Sequence, residues 1–594
     1  MAKEIGREPD IAKKYSFLKQ LKDIWFYLEG HRTQAIILLA ITIISALISL
    51  IPPYLYGLII NALTVLDMHK VILYLIITAL SYIVYRLING TSLYFSKMLA
   101  WRVKNNSRIR NLNYLMKLDY DFYENNSMGK ILSRIDSGTS SLRETMRVLY
   151  STTSIQFFTM IFSVFLIFSI NFTLGITSIL IILYFLTYNF YTIKRSLNLE
   201  NEAFIASEKT YGKIYDFFSH VLIIKFLNIS RKLTKILENS SNIILSKIKA
   251  QRKYERIRIA SSNLTIDLSS VLILGIISFF VFKGQMNIGI AVMAFGFFNK
   301  ITGSVSRIWD DYSTLLEHRT SMYRMSLIYN EKPKIKEPLN PQIPDKWESL
   351  DISDISYKYN SGLEYALNDI SLKIKKGERI AIVGLSGSGK STLTKLIMKL
   401  YLPNKGSIKI GDININNIPS EVLYNLIKIV PQENELMNAS ILENLKIASN
   451  NNVSKQDALR VLQQSSSIDF VNKMPKGINT LIGPNGMKIS GGEKQRLCIA
   501  RALISNPQVL ILDEASSHLD VITEKKIHET LRSLPSEITI IAVTHRISSL
   551  NLFDRIIVMD KGKIVGDGTH NTLLRTNKIY KQLYEVSKRE ELKI

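Results

Sequence analysis

Six apolar runs, each long enough to cross a membrane, occupy the first half of the chain. A spanning helix needs about 20 mostly apolar residues, and within lipid only helices and closed barrels satisfy all of their backbone polar groups. We expect Pro52 and Pro53 to kink the first run rather than end it, because proline removes a backbone donor. The chain therefore predicts an α-helical transmembrane domain with six spans. They are 34–60, 71–88, 148–170, 172–193, 261–282 and 288–308.

Basic residues are concentrated in two of the five connections between these runs. The first, third and fifth connections are short and nearly free of lysine and arginine, whereas the second and fourth are long and strongly basic. The positive-inside rule places the basic connections, and with them both termini, in the cytoplasm. This topology accounts for most of the formal net charge of +25. We therefore expect membrane lipids as partners and no nucleic acid.

The two long connections carry helical patterns of their own. Apolar residues recur at three- and four-residue spacing over 94–118 and 196–254, which predicts long helix extensions into the cytoplasm. Ahead of the first run, 15–28 has one apolar helical face. Two interpretations stay open for this segment: an interfacial helix on the inner leaflet, or a helix packed against the bodies of the others.

Three polar side chains fall inside the predicted spans. Gln156 lies in the third span, and Asn263 and Asp267 lie in the fifth. Polar groups are costly in lipid and usually face a bundle interior or a water-filled cavity. We predict that these residues line a substrate cavity. The alternative for Asp267 is helix packing beside a basic residue at the inner rim.

A polar segment with four prolines, 331–344, follows the last span. This composition is typical of a linker. Beyond it the apolar runs shorten to strand length and alternate with helical patterns, as in a nucleotide-binding α/β domain. We divide the chain into a cytoplasmic N-terminus with an interfacial helix (1–33), a transmembrane domain (34–330), a linker (331–347) and a nucleotide-binding domain (348–594).

The segment 384–392, GLSGSGKST, matches the phosphate-binding pattern G-x-x-x-x-G-K-[ST] between a strand pattern and a helical one. Its glycines let backbone N–H groups close around phosphate oxygens, and the following helix adds partial positive charge. Lys390 is then placed for the β- and γ-phosphates and Ser391 for Mg²⁺. The loop predicts binding of ATP or GTP with Mg²⁺. Its site residues are Gly384, Ser386, Gly387, Ser388, Gly389, Lys390, Ser391 and Thr392.

Three further segments bring polar groups to this domain. One buried strand pattern ends in Asp513 and Glu514; the first suits Mg²⁺, and the second can orient the water that attacks the γ-phosphate. Another, 539–544, delivers His545 as a candidate γ-phosphate contact. The segment 489–496 opens a helix and offers a second anion-binding N-terminus. One domain needs two such sites only if it also holds another copy's nucleotide.

The order of these motifs resembles that of the ATP-binding cassette (ABC) family. The motifs are the phosphate loop, Val430-Pro431-Gln432, Ser490-Gly491-Gly492, Asp513-Glu514 and His545. In the first half, 122–134 is similar to the first coupling region of the family's type IV exporters, and 206–212 with 224–226 is similar to the second. The resemblance covers nearly the whole chain and is strongest over 351–568.

The resemblance implies a role for each matching residue. Tyr359 would stack on adenine, and Gln432 would join Mg²⁺ to the transmembrane interface. Ser490, Gly491 and Gly492 would close over the γ-phosphate held by a partner subunit, and Asp520 would lie in the loop at the dimer seam. Glu514, His545 and Lys390 would be the catalytic residues, with Ser391, Gln432 and Asp513 holding Mg²⁺.

Some positions depart from the family pattern. Ile489 and Glu493 stand where the signature usually has leucine and glutamine. The extra carboxylate should weaken ATP-driven closure, yet it is favourable in the first turn of a helix. The family's mitochondrial-type exporters look alike at this position, so we do not interpret Glu493 as inactivating. Pro484-Asn485-Gly486 replaces an acidic–basic turn, and His518 replaces a small residue.

One transmembrane half and one cassette imply a half-transporter. Because Glu514 and His545 are both present, one chain can supply two competent sites, which favours a homodimer. We predict an ATP-driven exporter of a hydrophobic or amphipathic substrate: a lipid, drug, peptide or glutathione-type conjugate. Abundant Ile, Asn and Lys favour a bacterial or archaeal inner membrane. The open alternative is an ATP-gated channel or regulatory membrane protein that uses the cassettes as a switch.

Overall fold

A computed structural model describes residues 16–126, 128–359, 364–432, 435–449, 453–483, 489–513, 529–544 and 550–591. Contacts divide the chain into two compact units. The first comprises Met1–Lys117 and Ser127–Lys332, and the second comprises Leu118–Asn126 and Pro333–Ile594. The division after Lys332 falls inside the predicted linker. The second unit also includes 118–126, which the predicted bounds assign to the transmembrane domain and which overlaps the predicted first coupling region.

The first half of the described chain is helical. In chain order its helices are α1 (Phe17–Tyr27), α2 (Arg32–Ile48), α3 (Ile51–Thr64), α4 (Met68–Leu115), α5 (Tyr120–Asn125), α6 (Met128–Val148), α7 (Ser154–Ile170), α8 (Phe172–Ser219), α9 (Val221–Phe226), α10 (Ser230–Phe282) and α11 (Ile288–Ser326). Within the described residues, six helical segments are long and apolar enough to cross a membrane. This confirms the six predicted spans.

Three of these helices extend well beyond a bilayer. α4 and α8 have 48 residues each and α10 has 53. At 1.5 Å per residue, 48 residues reach about 72 Å, more than twice the hydrocarbon thickness of about 30 Å. The predicted helix extensions beyond the membrane are therefore confirmed, and their cytoplasmic location stays a prediction. Of the predicted second coupling region, 206–212 lies within α8, and Ile224–Phe226 forms part of the separate short helix α9.

The two prolines of the first span produce a short break. α2 ends at Ile48 and α3 begins at Ile51, so Pro52 and Pro53 fall in the first turn of α3. A first-turn N–H has no partner within its helix, so proline is tolerated there. The expected kink is thus a two-residue interruption ahead of the prolines.

Helix α1 packs against other helices of the first unit. Ile24, Tyr27 and Leu28 are buried in a cluster with residues of α4, α6 and α11, including Val103, Leu142 and Met322. This face supports the second interpretation of the segment, packing on helix bodies. The opposite face leaves Leu18 and Trp25 exposed.

A single turn of π-helix, Leu149–Thr153, joins α6 to α7. The hydroxyls of Thr152 and Thr153 both donate to Oδ2 of Asp311 on α11, at 2.8 and 2.7 Å. In a regular α-helix two successive side chains point about 100° apart, so the wider turn lets both reach one carboxylate.

The second unit contains two sheets. Its strands are β1 (Ser349–Tyr357), β2 (Leu367–Lys375), β3 (Arg379–Val383), β4 (Lys405–Ile410), β5 (Ile413–Asn414), β6 (Ile427–Val430), β7 (Val509–Asp513), β8 (Thr539–Val543), β9 (Arg555–Asp560) and β10 (Lys563–Gly568). An antiparallel sheet has the order β2-β1-β4-β5, and a second sheet has the order β10-β9-β3-β8-β7-β6. In the second sheet β9, β3, β8, β7 and β6 are parallel, and β10 is antiparallel.

Helices cover the larger sheet. They are α12 (Lys390–Ile397), α13 (Ser420–Leu426), α14 (Ile441–Lys446), α15 (Lys455–Gln464), α16 (Ile468–Asn472), α17 (Gly491–Leu503), α18 (His570–Thr576) and α19 (Lys578–Glu591). One core lies between the sheets and includes Ile355, Leu393 and Ile541. Another joins α14, α15 and α17 to the sheet through residues such as Val461 and Leu497. An α-helical membrane domain fused to an α/β nucleotide-binding domain is the predicted fold class.

Candidate nucleotide-binding site

The sheet order gathers the predicted site residues at one edge. β3, β8, β7 and β6 are parallel neighbours, so their carboxyl ends lie together. Val543 of β8 is paired with Ile382 of β3 on one side and with Asp513 of β7 on the other. The phosphate loop follows β3, and Gln432 lies two residues beyond β6. Four segments that are far apart in the chain thus end side by side.

The phosphate loop has a backbone that demands glycine at Gly389. Its φ is 101°, and a Cβ there would lie 2.7 Å from the carbonyl oxygen of Ala366. Lys390 begins α12 and is only 4% exposed. Its Nζ donates to the carbonyl oxygens of Gly384 at 2.9 Å and Leu385 at 3.0 Å. The loop therefore curls around its own ammonium group, which is the group expected to meet phosphate oxygens.

A hydroxyl and a carboxylate meet where Mg²⁺ is predicted. Oγ of Ser391, in the first turn of α12, donates to Oδ1 of Asp513 at 3.4 Å. Mg²⁺ prefers oxygen ligands of these kinds, so the two residues fit the ion. Gln432 is exposed beyond β6. The nearness of Ser391 and Asp513 arises from the pairing of β7 with β8 and of β8 with β3.

Tyr359, the predicted adenine contact, lies beside the phosphate loop. Its hydroxyl is 3.0 Å from Oγ1 of Thr392. Its ring makes edge-to-face contacts with Tyr357 at 5.0 Å and with Tyr401 at 5.6 Å between ring centroids. The sequence does not point to Tyr401, because that residue matches no nucleotide motif.

The signature helix α17 begins with a capping box. Ser490 is its N-cap, and its Oγ accepts from the backbone N–H of Glu493 at 3.4 Å. The Glu493 carboxylate in turn accepts from the backbone N–H of Ser490 at 2.9 Å and from its hydroxyl at 2.8 Å. The S-x-x-E spacing that signals this motif is visible in the sequence. Glu493 is therefore favourable in the first helical turn, as expected.

The segment 118–126 is fastened within the second unit. Glu124 of α5 pairs with Nζ of Lys395 on α12 at 2.8 Å and also accepts a hydrogen bond from the Tyr401 hydroxyl. Asp119 accepts from the backbone N–H groups of Lys334 and Ile335, at 2.6 and 3.1 Å. Part of the predicted first coupling region thus contacts the helix that carries Lys390.

Several predicted residues lie outside the described part of the chain. They are Glu514, Asp520, His545, His518 and the segment Pro484-Asn485-Gly486. The described chain stops next to two of the catalytic candidates. Asp513 ends β7 just before Glu514, and Thr544 follows β8 just before His545. Their catalytic and seam roles stay predictions.

The three polar residues of the spans have different surroundings. Gln156 on α7 accepts a hydrogen bond from Oγ of Ser304 on α11 at 2.9 Å, so it joins two helices. In one isolated chain, Asn263 and Asp267 of α10 are exposed. A substrate cavity lined by these residues stays a prediction.

Cys498 on α17 is buried. Burial raises the pKa of its thiol, so the reactive thiolate is scarce near neutral pH. The apolar neighbours of Cys498 in the sequence, Leu497 and Ile499, also indicate an inert thiol.

Two family models match the chain. Residues 35–305 match the ABC transporter transmembrane region, and residues 367–517 match the ABC transporter model. Together the two matches span more than half of the sequence. The membrane match ends and the cassette match begins on either side of the predicted linker, 331–347.

Relatives and a solved structure agree with both matches. Proteins of Staphylococcus aureus strains NCTC 8325 and bovine RF122, named as multidrug export ATP-binding/permease proteins, are 28% identical over 494 residues. The alignments cover 83% of this chain and 85% of each relative. A bacterial Atm1-family ABC exporter solved with ATP bound has a TM-score of 0.84 at 23% identity, covering 94% of this chain and 99% of that one. The likeness to this structure confirms the predicted fold.

The chain therefore belongs to the ABC transporter family, as a half-transporter with the exporter fold that joins one transmembrane region to one ATP-hydrolysing cassette.

Proposed function

We propose that this transporter works as a homodimer and exports hydrophobic or amphipathic compounds from the cytoplasm or the inner leaflet. Each of two ATP molecules would lie between the phosphate loop of one copy and the signature of the other. The observation that carries this proposal is the division of anion-binding elements. Lys390 opens one helix and Ser490 caps a separate one in the same cassette. Two copies facing each other would complete two sites.

Ser391, Asp513 and Gln432 are the residues that would hold Mg²⁺. The 3.4 Å contact between Ser391 Oγ and Asp513 Oδ1 supports the first two. The ion, when bound, would neutralise charge on the β- and γ-phosphate oxygens. Lys390 would leave the carbonyl groups that it contacts here and bind the same oxygens. Tyr359 would stack on the base.

Glu514 is our candidate for orienting the attacking water. It follows Asp513 directly, at the carboxyl end of β7. His545 follows β8 on the neighbouring strand and would contact the γ-phosphate. Gly491, Gly492 and Ser490 would close over that phosphate from the partner subunit, and Asp520 would lie at the seam. Because each chain carries all of these groups, both sites would be competent.

The substrate class rests on the relatives and on the composition. Two relatives are named for multidrug export, which favours an amphipathic drug-like compound over a peptide. The basic connections favour a cytoplasmic cassette. We place the protein in a bacterial or archaeal inner membrane, with hydrolysis resetting the dimer after each transport step.

Complementation between two inactive variants tests the shared sites. A Lys390→Ala chain loses its phosphate loop, and a Ser490→Arg chain loses its signature, so each homodimer has two damaged sites. When the two chains are co-expressed and the mixed dimer is purified through two affinity tags, one site combines both defects and the other is intact. We expect ATP hydrolysis to return only in the mixed dimer.

Two controls make this result specific. A dimer of two Lys390→Ala chains, one with each affinity tag and purified through both tags, should stay inactive. Wild-type chains with the two tags should be fully active. Failure of the mixed dimer to hydrolyse ATP, despite normal dimer yield, would show that each site is built within one chain.

A further inference from the structure

Glu124 lies between two donors of the cassette. One carboxylate oxygen pairs with Nζ of Lys395 at 2.8 Å, and the other accepts a hydrogen bond from the Tyr401 hydroxyl. Lys395 belongs to α12, which begins at Lys390, and Tyr401 follows the end of that helix. The segment 118–126 is thus joined to α12 through Lys395 and, separately, to Tyr401, which lies beyond the end of that helix.

Tyr401 also contacts the predicted adenine residue. Its ring meets Tyr359 edge-to-face, with 5.6 Å between centroids and planes 84° apart. It packs against Tyr357 at 5.3 Å and against Tyr120 of α5 at 6.0 Å. Edge-to-face pairs have a preferred geometry, so the Tyr359 ring cannot turn without changing its contact with Tyr401. A continuous series of contacts therefore runs from Tyr359 through Tyr401 to Glu124.

Burial and protonation fix the direction of the last hydrogen bond. Tyr401 is 5% exposed, and burial together with the Glu124 carboxylate raises the pKa of its hydroxyl. Burial alone would raise the pKa of Glu124 as well, but its hydrogen bonds with Lys395 and Tyr401 hold that pKa below the ordinary value. At neutral pH the tyrosine is therefore a protonated donor and Glu124 an ionised acceptor, which makes a strong pair.

Phosphate and base act on different residues of the site. Phosphate binding acts on Lys390 at the start of α12, whereas the Lys395–Glu124 pair holds the segment with or without nucleotide. The base acts on Tyr359, and hence on Tyr401. We propose that Tyr401 makes the 118–126 segment responsive to the base of the nucleotide, so that only a base that stacks well on Tyr359 tightens the segment. This inference rests on the proposed nucleotide site, because it takes Tyr359 as the base contact.

On this proposal the base of the nucleotide determines whether the 118–126 segment responds, and it does not determine whether the nucleotide binds. A nucleotide with a small pyrimidine ring would still fill the phosphate loop and could still be hydrolysed. It would leave the Tyr359 ring unsupported and the 118–126 segment in its resting state. In this role Tyr401 is a positioning residue, acting through Tyr359 and Glu124.

Hydrogen–deuterium exchange on the full-length protein in nanodiscs tests this separation. Exchange is followed in two segments, 118–126 and 384–392, with no nucleotide, with saturating ATP and with saturating UTP, all in EDTA so that nucleotide binds without turnover. We expect both nucleotides to slow exchange in 384–392. Only ATP should slow it in 118–126, by about tenfold, as expected when one hydrogen bond to a charged group is strengthened.

Tyr401→Phe removes the hydroxyl and keeps the ring. In this variant ATP should still protect 384–392 but no longer 118–126. Glu124→Gln is a second variant with the same expectation, should the first fold poorly. Tyr365→Phe is the control, since Tyr365 is exposed, and it should behave as wild type. Lys395→Met should loosen 118–126 in all states while keeping the difference between ATP and UTP.

Two results would overturn the inference while leaving the proposed nucleotide site intact. Equal protection of 118–126 by ATP and UTP would show that the base is not sensed there. Unchanged ATP protection of 118–126 in both Tyr401→Phe and Glu124→Gln would show that the contact is only structural. If neither nucleotide protects 384–392, the proposed nucleotide site itself fails, and the inference fails with it.

Discussion

Glu493 caps its own helix, and in the proposed dimer it would lie next to the γ-phosphate held by the partner subunit. Its carboxylate accepts from both the N–H and the hydroxyl of Ser490, the groups that the signature would offer to the partner's nucleotide. A bound phosphate and this carboxylate are both anions and compete for the same donors. The residue is therefore favourable in the single chain, and we expect it to oppose closure of the proposed dimer over ATP.

Replacing Glu493 with glutamine should separate these effects. Glutamine keeps an oxygen that can accept from the Ser490 N–H, so we expect thermal stability to change by no more than about 0.5 kcal/mol. Loss of the negative charge should lower the ATP concentration for half-maximal hydrolysis by about three- to tenfold, since charge effects at helix ends are typically about 1 kcal/mol. Titration of ATPase rate against ATP checks this. An unchanged or higher midpoint would contradict it.

Gly389 is a position where backbone geometry and function coincide. We expect Gly389→Ala to abolish nucleotide binding and to lower stability by about 1–3 kcal/mol, because a Cβ would meet the Ala366 carbonyl oxygen at a positive φ. Gly212→Ala is the matched control: nothing lies within 4 Å of its Cβ position in helix α8. It should be neutral or slightly stabilising. Fluorescent-nucleotide binding and thermal unfolding report the two effects, and normal binding by Gly389→Ala would be the contrary result.

At the scale of elements, the π-turn between α6 and α7 joins these helices to α11. It presents Thr152 and Thr153 to one oxygen of Asp311 on α11. We expect the double change Thr152→Val and Thr153→Val to lower the free energy of unfolding by about 2 kcal/mol, because the carboxylate loses two donors. Thermal unfolding in detergent measures this.

Thr314→Val is the control for that double change. The Thr314 hydroxyl donates to the Asp310 carbonyl oxygen within its own helix at 3.2 Å, so its loss should change stability by less than about 0.5 kcal/mol. Equal losses in the control and the double variant would show that the Asp311 contact adds nothing.

Local patterns were enough to predict most elements. Apolar length identified the six spans, three- and four-residue spacing identified their extensions, and G-x-x-x-x-G-K-S identified the loop after β3. The π-turn and the grouping of 118–126 with the cassette depend on tertiary partners, Asp311 in one case and Lys395 and Tyr401 in the other. No window of sequence around Thr152 or Glu124 contains those partners. The resemblance to a coupling region marked 122–134 as a functional segment, but the partner residues of Glu124 and the π-turn were not predictable.

At the scale of the whole molecule, parallel strand order turns scattered motifs into one site. Ser391 and Asp513 are 122 positions apart in sequence and are within 3.4 Å because β3, β8 and β7 are neighbours. The sequence predicted both residues and their shared ligand. It did not predict Tyr401, which is linked to the site through its ring contact with Tyr359.

An ATP-driven exporter and an ATP-gated channel differ in what the whole molecule does with its substrate. Both would bind ATP at the same residues, and both would need two copies. A pump moves its substrate against a gradient and depends on each round of hydrolysis, whereas a gated channel lets its substrate flow downhill once ATP is bound. Glu514 separates them, because it is predicted to act in hydrolysis and not in ATP binding.

The most direct measurement is ATP-dependent accumulation in proteoliposomes, with hydrolysis recorded in the same samples. We would test wild type, Glu514→Gln and a control, Glu537→Gln, with lipids, drugs, peptides and glutathione conjugates. Glu537 is exposed and lies before the amino end of β8, away from the site at its carboxyl end. For an ATP-driven exporter, one substrate class accumulates against its gradient and stimulates hydrolysis in wild type and in Glu537→Gln, and neither occurs in Glu514→Gln. Substrate flux that requires ATP, persists in Glu514→Gln and never exceeds equilibrium would contradict export and identify an ATP-gated channel.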